Sequence, residues 1–188
     1  MNDFRRVFIG MPASAALQGE VQRYSLDFPD TAVRWIAPQY LHVTLVPPWR
    51  CLDIAPVCRR ISAAASAYSP FTLDFQTVSP GPDKLHPRLF WAAGRASDLL
   101  FQLHGELADH FVPEKAEMLP FFLHMTIARL STAARSRAET SPDVYRKTRT
   151  VAWKGMFDRI RLYESELKPS GARYRVLCDA SFCGRKPS

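Results

Sequence analysis

Short β-rich runs joined by very short turns constrain the fold of this chain more than any other feature. Residues 32–36 and 41–46 are rich in β-branched, aromatic and apolar side chains, and the turn-like residues 37–40 separate them. Residues 157–164 and 173–182 lie on either side of an equally short Lys-Pro-Ser-Gly connection. Parallel strands need a crossover of about a dozen residues or more, so these runs have to pair antiparallel. The sequence therefore predicts an α+β fold with mainly antiparallel sheets and flanking helices.

The remaining elements follow from the spacing of the apolar side chains. Steps of three and four residues predict helices, and strict alternation predicts strands. The predicted helices are residues 13–28, 54–68 with Asp53 as N-cap, and 97–111. The predicted strands are residues 5–10, 32–36, 41–46, 71–78, 88–93, 121–128, 157–164 and 173–182. Pro47-Pro48 is expected to end one strand, residues 79–87 to form a loop, and residues 131–150 to form a helix or a mobile surface segment.

Two of the predicted strands carry the same pattern, His-x-Thr-x. It reads His42-Val-Thr44-Leu in one strand and His124-Met-Thr126-Ile in the other. Side chains two residues apart in a strand point to the same face, so each His would project together with its Thr. With nine Thr in 188 residues, about a quarter of one such match is expected by chance among 5 His. Two matches in similar apolar surroundings therefore indicate a shared function and not two ordinary surface strands.

The composition is that of one compact domain with a basic surface. The 188 residues carry a formal net charge of +7, which favours a polyanionic partner such as RNA without deciding it. The sequence shows no export signal and no run of roughly 20 apolar residues, so we expect a cytoplasmic protein without a membrane partner. It also lacks an HExxH motif, a Cys/His cluster and a phosphate-binding glycine loop, so we expect neither a metal site nor an ATP-dependent reaction. Four cysteines without Cys-x-x-Cys spacing are expected to be reduced: Cys51, Cys58, Cys178 and Cys183.

With these motifs the chain resembles the RNA 2′,3′-cyclic phosphodiesterase family, also called the 2′–5′ RNA ligase family, within the two-histidine phosphoesterase superfamily. The resemblance extends over nearly the whole length, through RRVFIGMP, VRWIAPQYLHVTL, RLFWAAG, HMTIAR and ESELKPSGARYRVL. It implies a single bilobal catalytic domain over residues 1–188, with pseudo-twofold symmetry and the motif strands side by side in a central cleft. It also implies a reaction without metal or other cofactor on RNA or oligonucleotides that end in a 2′,3′-cyclic phosphate. We further expect a monomer.

The opening of a cyclic phosphate explains why two histidines would be needed. A base must take a proton from water and an acid must protonate the leaving ribose oxygen, and imidazoles with pKa values near 6.5 can hold both states. The resemblance implies that His42 is the proton donor and His124 the acceptor, although the residues alone fit the reverse equally well. Thr44 and Thr126 can donate hydrogen bonds to the phosphate oxygens. Arg129 is the predicted cation at the phosphate, but alternation from His124 places it on the opposite face, so a bend has to turn it inward.

Aromatic residues near the strand ends are candidates for stacking on a nucleobase, although aromatic residues at such positions more often belong to the core. These are Tyr40, Trp49, Trp91 and Tyr174. The other histidines are expected to be surface, boundary or loop residues: His86, His104 and His110. The terminal turn is expected to shape the rim of the cleft through Ser170, Gly171 and Arg173.

The expected activity is hydrolysis of a terminal ribonucleoside 2′,3′-cyclic phosphate to the 2′-phosphomonoester, with reverse 2′–5′ ligation as a side activity of the same site. Two alternatives stay open. After the first motif the chain reads Val46-Pro47-Pro48-Trp49, where cyclic phosphodiesterases more often continue with a Phe-Leu-Gly-like stretch. The substrate could therefore be a cyclic phosphate on ADP-ribose or a linear 2′–5′ phosphodiester. The other alternative is a non-catalytic RNA-binding module that uses a basic cleft as a docking groove.

Overall fold

The computed structural model describes residues 4–27, 33–83, 86–111, 120–130, 149–168 and 171–184. Within these ranges the chain forms nine β-strands, three α-helices and one 3-10 helix. The strands are β1 (Arg5–Pro12), β2 (Val33–Trp35), β3 (His42–Cys51), β4 (Phe71–Gly81), β5 (Leu89–Ala93), β6 (His124–Leu130), β7 (Arg149–Phe157), β8 (Arg159–Lys168) and β9 (Gly171–Ser181). The helices are α1 (Ala15–Leu26), α2 (Ile54–Ser66) and α3 (Asp98–Phe111), and the 3-10 helix spans Pro38–Tyr40.

All nine strands belong to one sheet, and every pairing described in it is antiparallel. The order is β7-β4-β5-β6-β3-β1-β8-β9, and β2 pairs with β6 outside this path. The predicted α+β class with mainly antiparallel strands is therefore confirmed. The two strands that carry the His-x-Thr-x motifs, β3 and β6, are neighbours in the middle of the sheet.

Each helix covers the sheet with one apolar side. At the start of α1 the hydroxyl of Ser14 accepts a hydrogen bond from the amide of Leu17 (3.4 Å), and the helix packs against β7. Asp53, the predicted N-cap, accepts a hydrogen bond from the amide of Ala55 (3.1 Å) at the start of α2, which packs against β8 and β9. Burial of a side chain such as Leu17 contributes roughly 1.5–3 kcal/mol to the free energy of unfolding, so the buried apolar sides of the helices hold them against the sheet. Among the helices of the described ranges, none has the length and apolarity that crossing a membrane requires.

The first motif strand is longer than predicted, because Pro47 and Pro48 do not end it. Both prolines lie between Val46 and Trp49, two residues that pair with β1, in a stretch where β3 has one residue more than β1. A residue at such a bulge need not donate to the ladder, so proline is tolerated there. The prediction that Pro47-Pro48 terminates the strand is therefore wrong, and β3 continues to Cys51.

Other boundaries also differ from the prediction. Residues 79–81, expected in a loop, still pair with β5 as the end of β4. Residues 149–157 form β7, which the sequence did not predict although buried side chains alternate from Trp153 onward. Phe157, expected to begin a strand, is the last residue of β7, and β8 begins at Arg159. The remainder of the segment predicted as a helix or mobile surface, residues 131–148, lies outside the described residues.

Candidate active site

The candidate site lies on the face of the sheet where β3 and β6 meet. Val43 pairs with Met125, and both side chains are buried. By alternation the motif residues on either side of them project from the opposite face. His42, Thr44 and Thr126 line one cavity of about 300 Å³ there, which we call the main cavity, whereas His124 is not among its lining residues. Its lining consists of Arg6, Phe8, Ile36, Tyr40, His42, Thr44, Pro48, Thr126, Arg129, Ser165, Ala172 and Tyr174.

Both motif histidines are oriented by the same local hydrogen bond. Nδ1 of His42 donates to the carbonyl oxygen of Tyr40 (2.6 Å), and Nδ1 of His124 donates to the carbonyl oxygen of Phe122 (3.1 Å). A carbonyl oxygen can only accept, so Nδ1 has to carry the proton in each ring. In the neutral state this leaves Nε2 with its lone pair as the nitrogen that can exchange a proton with a substrate.

His42 is enclosed by aromatic rings and by a close approach of β1. Its ring centroid lies 4.8 Å from that of Phe8, 5.5 Å from Tyr174 and 5.7 Å from Tyr163. A Cβ at Gly10 would lie 3.1 Å from Cδ2 of His42 and 2.9 Å from the carbonyl oxygen that precedes Thr44. Glycine therefore makes room for the imidazole against β1.

Burial lowers the pKa of both histidines. For His42 the value falls from 6.5 to about 4, because the ring is desolvated and because His124 and Arg129 add positive charge nearby. The hydrogen bond to Tyr40 opposes this change. The pKa of His124 is also lowered by desolvation, with an opposing effect from the carbonyl of Phe122. In the protein alone both imidazoles are therefore neutral near pH 7.

A β-bulge turns Arg129 toward the main cavity. Trp91 pairs with Thr126 and Phe90 pairs with Ala128, so Ile127 is an extra residue in β6. The extra residue reverses the alternation, and Arg129 lines the main cavity with Thr126. This bulge is the bend that the sequence required for Arg129 to face inward.

A matching bulge follows the first motif. Gly10 pairs with Thr44 and Ile9 with Val46, so Leu45 is the extra residue in β3. The ring of His104, from α3, donates through Nδ1 to the carbonyl oxygen of Leu45 (2.8 Å). It also stacks on Phe121 with 4.1 Å between ring centroids. His104 therefore fixes the backbone directly after Thr44, whereas His86 and His110 are exposed and do not line the main cavity.

The four candidate aromatic residues occupy different surroundings. Tyr40 and Tyr174 line the main cavity, with their rings edge to face at 5.4 Å. Trp91 contacts the ring of His124 edge to face at 4.9 Å. Trp49 stacks on Phe111 at 5.5 Å and is not among the residues that line the main cavity. The geometry thus brings Tyr40 and Tyr174 to the cavity, places Trp91 behind the second histidine, and packs Trp49 against α3.

Some residues that line the main cavity were not predicted from the sequence. Arg6, on β1, donates through Nη1 to Oγ of Ser165 on β8 (2.8 Å), and Ser165 is 7% exposed. Arg6, Phe8 and Gly10 alternate along one strand, which is a signal that could have placed them together. The sequence does not show that this face of β1 lies next to the motif strand β3, since that pairing depends on the whole sheet.

A second cavity of about 380 Å³, which we call the arginine cavity, adjoins the main cavity. The two share five lining residues, so a ligand can extend from one into the other. None of the described residues that line them carries a carboxylate. The lining of the arginine cavity consists of Arg34, Trp35, Ile36, Ala37, Tyr40, Arg129, Ala172, Arg173 and Tyr174. Of the expected rim residues, Arg173 lies here, Gly171 begins β9, and Ser170 is outside the described residues.

Comparison with known sequences finds a family over most of the chain. Residues 12–169 match the sequence model of the 2′-5′ RNA ligase superfamily. An RNA 2′,3′-cyclic phosphodiesterase of Thermotoga maritima is 27% identical over 160 residues, with 80% of each chain covered. One of Geobacillus stearothermophilus is 26% identical over 131 residues, which cover 65% of this chain and 41% of that relative.

Comparison with solved structures finds the same fold. A protein of Thermus thermophilus matches with a TM-score of 0.76 at 21% identity, over 94% of this chain and 97% of that one. E. coli LigT, in its structure complexed with 3′-AMP, matches with a TM-score of 0.68 at 22% identity, over 96% of this chain and 99% of that one. At these identities the likeness shows a LigT-like fold.

Proposed function

Because the chain belongs to the 2′-5′ RNA ligase superfamily, as its motifs predicted, we propose that it hydrolyses terminal 2′,3′-cyclic phosphates of RNA to 2′-phosphomonoesters. One observation carries this proposal. Two histidines lie on adjacent strands, and in each the Nδ1 donates a hydrogen bond to a backbone carbonyl. This leaves the Nε2 of each ring available for proton transfer. The name shared by the Thermotoga and Geobacillus relatives agrees with this substrate.

In the proposed reaction each histidine moves one proton. His124 takes a proton from water as the water oxygen bonds to phosphorus, and His42 gives a proton to the ribose 3′-oxygen as its bond to phosphorus breaks. The product is a 2′-phosphomonoester with a free 3′-hydroxyl. After turnover His42 is neutral and His124 is protonated, so exchange with solvent has to restore both. If the 5′-hydroxyl of another RNA end takes the place of water, the same two proton transfers bond its oxygen to phosphorus as the 3′-oxygen leaves. The product is then a 2′–5′ phosphodiester, which is the ligase side activity.

Binding of the substrate is expected to cause the protonation of His42, the proposed acid. A pKa of about 4 leaves roughly one His42 in a thousand protonated at pH 7, so its pKa has to rise by about three units on binding. Such a rise corresponds to about 4 kcal/mol, which is what a unit negative charge about 4 Å away supplies at an effective dielectric constant near 20. A bound phosphate anion can therefore convert His42 into the acid that the reaction needs.

The phosphate charge would be held without a metal ion. The hydroxyls of Thr44 and Thr126 and the guanidinium of Arg129 line the cavity beside His42. Hydroxyl donors and a guanidinium can stabilise the extra negative charge that develops on the nonbridging oxygens in the transition state. We assign the phosphate-binding role to these three residues and base contact to Tyr40 and Tyr174.

We also propose that the sheet consists of two related lobes. The order of strands outward from the junction is β6-β5-β4-β7 on one side and β3-β1-β8-β9 on the other. Both motif strands carry a bulge directly after the Thr, at Leu45 and at Ile127. This correspondence supports the pseudo-twofold, bilobal catalytic domain that the resemblance implies.

A substrate other than RNA is a second candidate, which one observation favours. Pro48, part of the stretch that departs from the usual family pattern, lines the main cavity and so lies where it can affect substrate choice. A cyclic phosphate on ADP-ribose and a linear 2′–5′ phosphodiester are the compounds to compare with RNA ends.

The deciding experiment measures hydrolysis of a nucleoside 2′,3′-cyclic phosphate in EDTA between pH 5 and 9, with the 2′- and 3′-products separated. We expect a bell-shaped rate profile, a 2′-phosphate product, and a loss of at least about a hundredfold in kcat for His42→Ala and for His124→Ala. His110→Ala, an exposed histidine outside the main cavity, is the matched control and should keep the full rate. Full activity of folded His42→Ala and His124→Ala would end the proposal.

A further inference from the structure

The arginine cavity gathers guanidinium groups from different strands beside the main cavity. Arg34 of β2 and Arg129 of β6 are directly opposite each other in the antiparallel ladder. Residues opposite each other in this way have Cβ atoms about 4.5–5.5 Å apart and point to the same face. Arg173 of β9, the last strand in the order on the other half of the sheet, lines the same cavity.

This arrangement fits an anionic ligand. The described lining of this cavity includes three arginines and no carboxylate, and Glu166 lies opposite Arg173 in the ladder between β8 and β9. A phosphate bound in the cavity would accept charge-assisted hydrogen bonds from these guanidinium groups. The planar fork of arginine donors also matches phosphate oxygens in pairs, which a simple point charge does not.

The position of the cavity selects which phosphate it would hold. Arg129, Tyr40 and Tyr174 line both cavities, so a group in the arginine cavity is the immediate neighbour of the group at His42. At an RNA end the terminal nucleoside carries the cyclic phosphate on one side and a 5′-phosphodiester on the other. The tyrosine rings at the boundary can stack on that nucleoside's base, since base stacking on aromatic rings is common in the binding of single strands.

We propose that the arginine cavity binds the 5′-phosphodiester of the terminal nucleotide, so that the protein prefers oligonucleotide ends to mononucleotide cyclic phosphates. The inference rests on the proposed function and adds to it the length of RNA that the site recognises. Arg173 is the specificity-determining residue, because Arg129 also serves the reacting phosphate and Arg34 pairs with it across the ladder.

The test compares kcat/KM for a nucleoside 2′,3′-cyclic phosphate with that for a dinucleotide with the same terminal base and the same cyclic end. We expect the unaltered protein to favour the dinucleotide about tenfold or more, and Arg173→Ala to bring this ratio close to one. Arg173→Lys, which keeps the charge but loses the fork, should give an intermediate ratio. Arg60→Ala removes the same charge from an exposed position of α2 and should leave the ratio unchanged.

The outcomes separate this inference from the proposed function. Hydrolysis of both substrates with a ratio near one would overturn the inference and leave the proposed function standing. An equal fall in the ratio for Arg60→Ala would also overturn it, since the effect would then reflect the net charge of the protein and not the arginine cavity. Arg173-dependent turnover of an ADP-ribose cyclic phosphate faster than the dinucleotide would assign the cavity to a pyrophosphate, against RNA.

A binding measurement tests the same cavity if neither substrate is hydrolysed, an outcome that would defeat the proposed function. The probes are a 3′-phosphorylated dinucleotide and the matching 3′-mononucleotide, titrated calorimetrically. A tenfold tighter dinucleotide complex that weakens in Arg173→Ala and in Arg34→Ala would support the phosphodiester site. Equal affinity for the two probes would overturn it.

Discussion

Replacement of Gly10 by alanine tests how the position of His42 is set. A methyl group at Gly10 would lie 2.9 Å from the carbonyl oxygen of Val43 and 3.1 Å from Cδ2 of His42. The carbonyl belongs to the motif strand itself and cannot rotate away, so β3 or the imidazole has to move by about half an ångström. We expect a loss of about 1–3 kcal/mol in the free energy of unfolding, as is typical of overpacking. Since a 1 Å misplacement of a reacting group can cost about a hundredfold, kcat should fall about tenfold.

The assay measures kcat on a nucleoside 2′,3′-cyclic phosphate together with urea unfolding. Gly19→Ala and Gly105→Ala are matched controls, because a Cβ at either helical position would meet nothing within 4 Å. Both should keep kcat and gain up to about 1 kcal/mol in stability, since alanine favours a helix over glycine. Gly155→Ala is the control for overpacking away from the site, because its Cβ would press on the flexible end of Leu17 at 2.8 Å.

The reasoning would be refuted by a folded Gly10→Ala protein with unaltered kcat, which would show that β1 does not position the imidazole. It would also be refuted if Gly155→Ala lost as much kcat at a similar loss of stability. The fall in rate would then reflect general destabilisation of the sheet and not displacement of His42.

Two further predictions concern histidines. His104→Phe keeps a ring to stack on Phe121 but removes the donor to the carbonyl of Leu45. It should lower the free energy of unfolding in urea by about 1–3 kcal/mol and lower kcat several-fold. A loss of stability with unchanged kcat would show that the contact serves only the fold. The second is a pH effect on stability from His42, whose folded pKa of about 4 lies below the unfolded 6.5. The unfolded chain binds more protons between these values, so this histidine stabilises the fold above pH 6.5 and its contribution is lost as the pH falls toward 4, by up to about 3 kcal/mol. His42→Gln should flatten this part of the urea-unfolding profile, and an unchanged slope in that variant would contradict the depressed pKa.

The alternation within each motif was sufficient to predict the most local part of the site. His42 with Thr44, and His124 with Thr126, share a face because a strand repeats every two residues. The same rule fails for Arg129, since it assumes that β6 has no extra residue. A bulge is set by the pairing with a neighbouring strand, here by the offset of one residue between Phe90 and Trp91, and one strand's sequence does not contain that information.

The prolines after the first motif show a similar limit. Pro47-Pro48 would end a strand whose amides all have to pair, and the prediction assumed such a strand. In the sheet β3 has one residue more than β1 at this point, so the absent amides are not required. The pairing of Arg6 with Ser165 is another long-range feature, because it joins residues 159 positions apart through the contact of β1 with β8. Local sequence therefore predicted which His and Thr side chains share a face, whereas the lining of the cavity depends on strand pairings over the whole chain.

The surroundings of the two histidines differ, and this difference bears on which is the acid. β1 places Gly10 opposite Thr44, and His42 sinks against Phe8, whereas β5 places Trp91 opposite Thr126 and beside His124. His42 is the more desolvated of the two, and in the proposed mechanism a bound anion would raise its pKa so that it can donate a proton to the leaving oxygen.

A substrate with sulfur in place of the 3′-oxygen tests this assignment, because a thiolate leaves with little need for protonation. If His42 is the acid, His42→Ala should lose at least about a hundredfold on the oxygen substrate and about tenfold or less on the sulfur substrate. His124→Ala should be impaired on both, since water still needs a base. Rescue of His124→Ala by sulfur, with His42→Ala still impaired, would reverse the two roles.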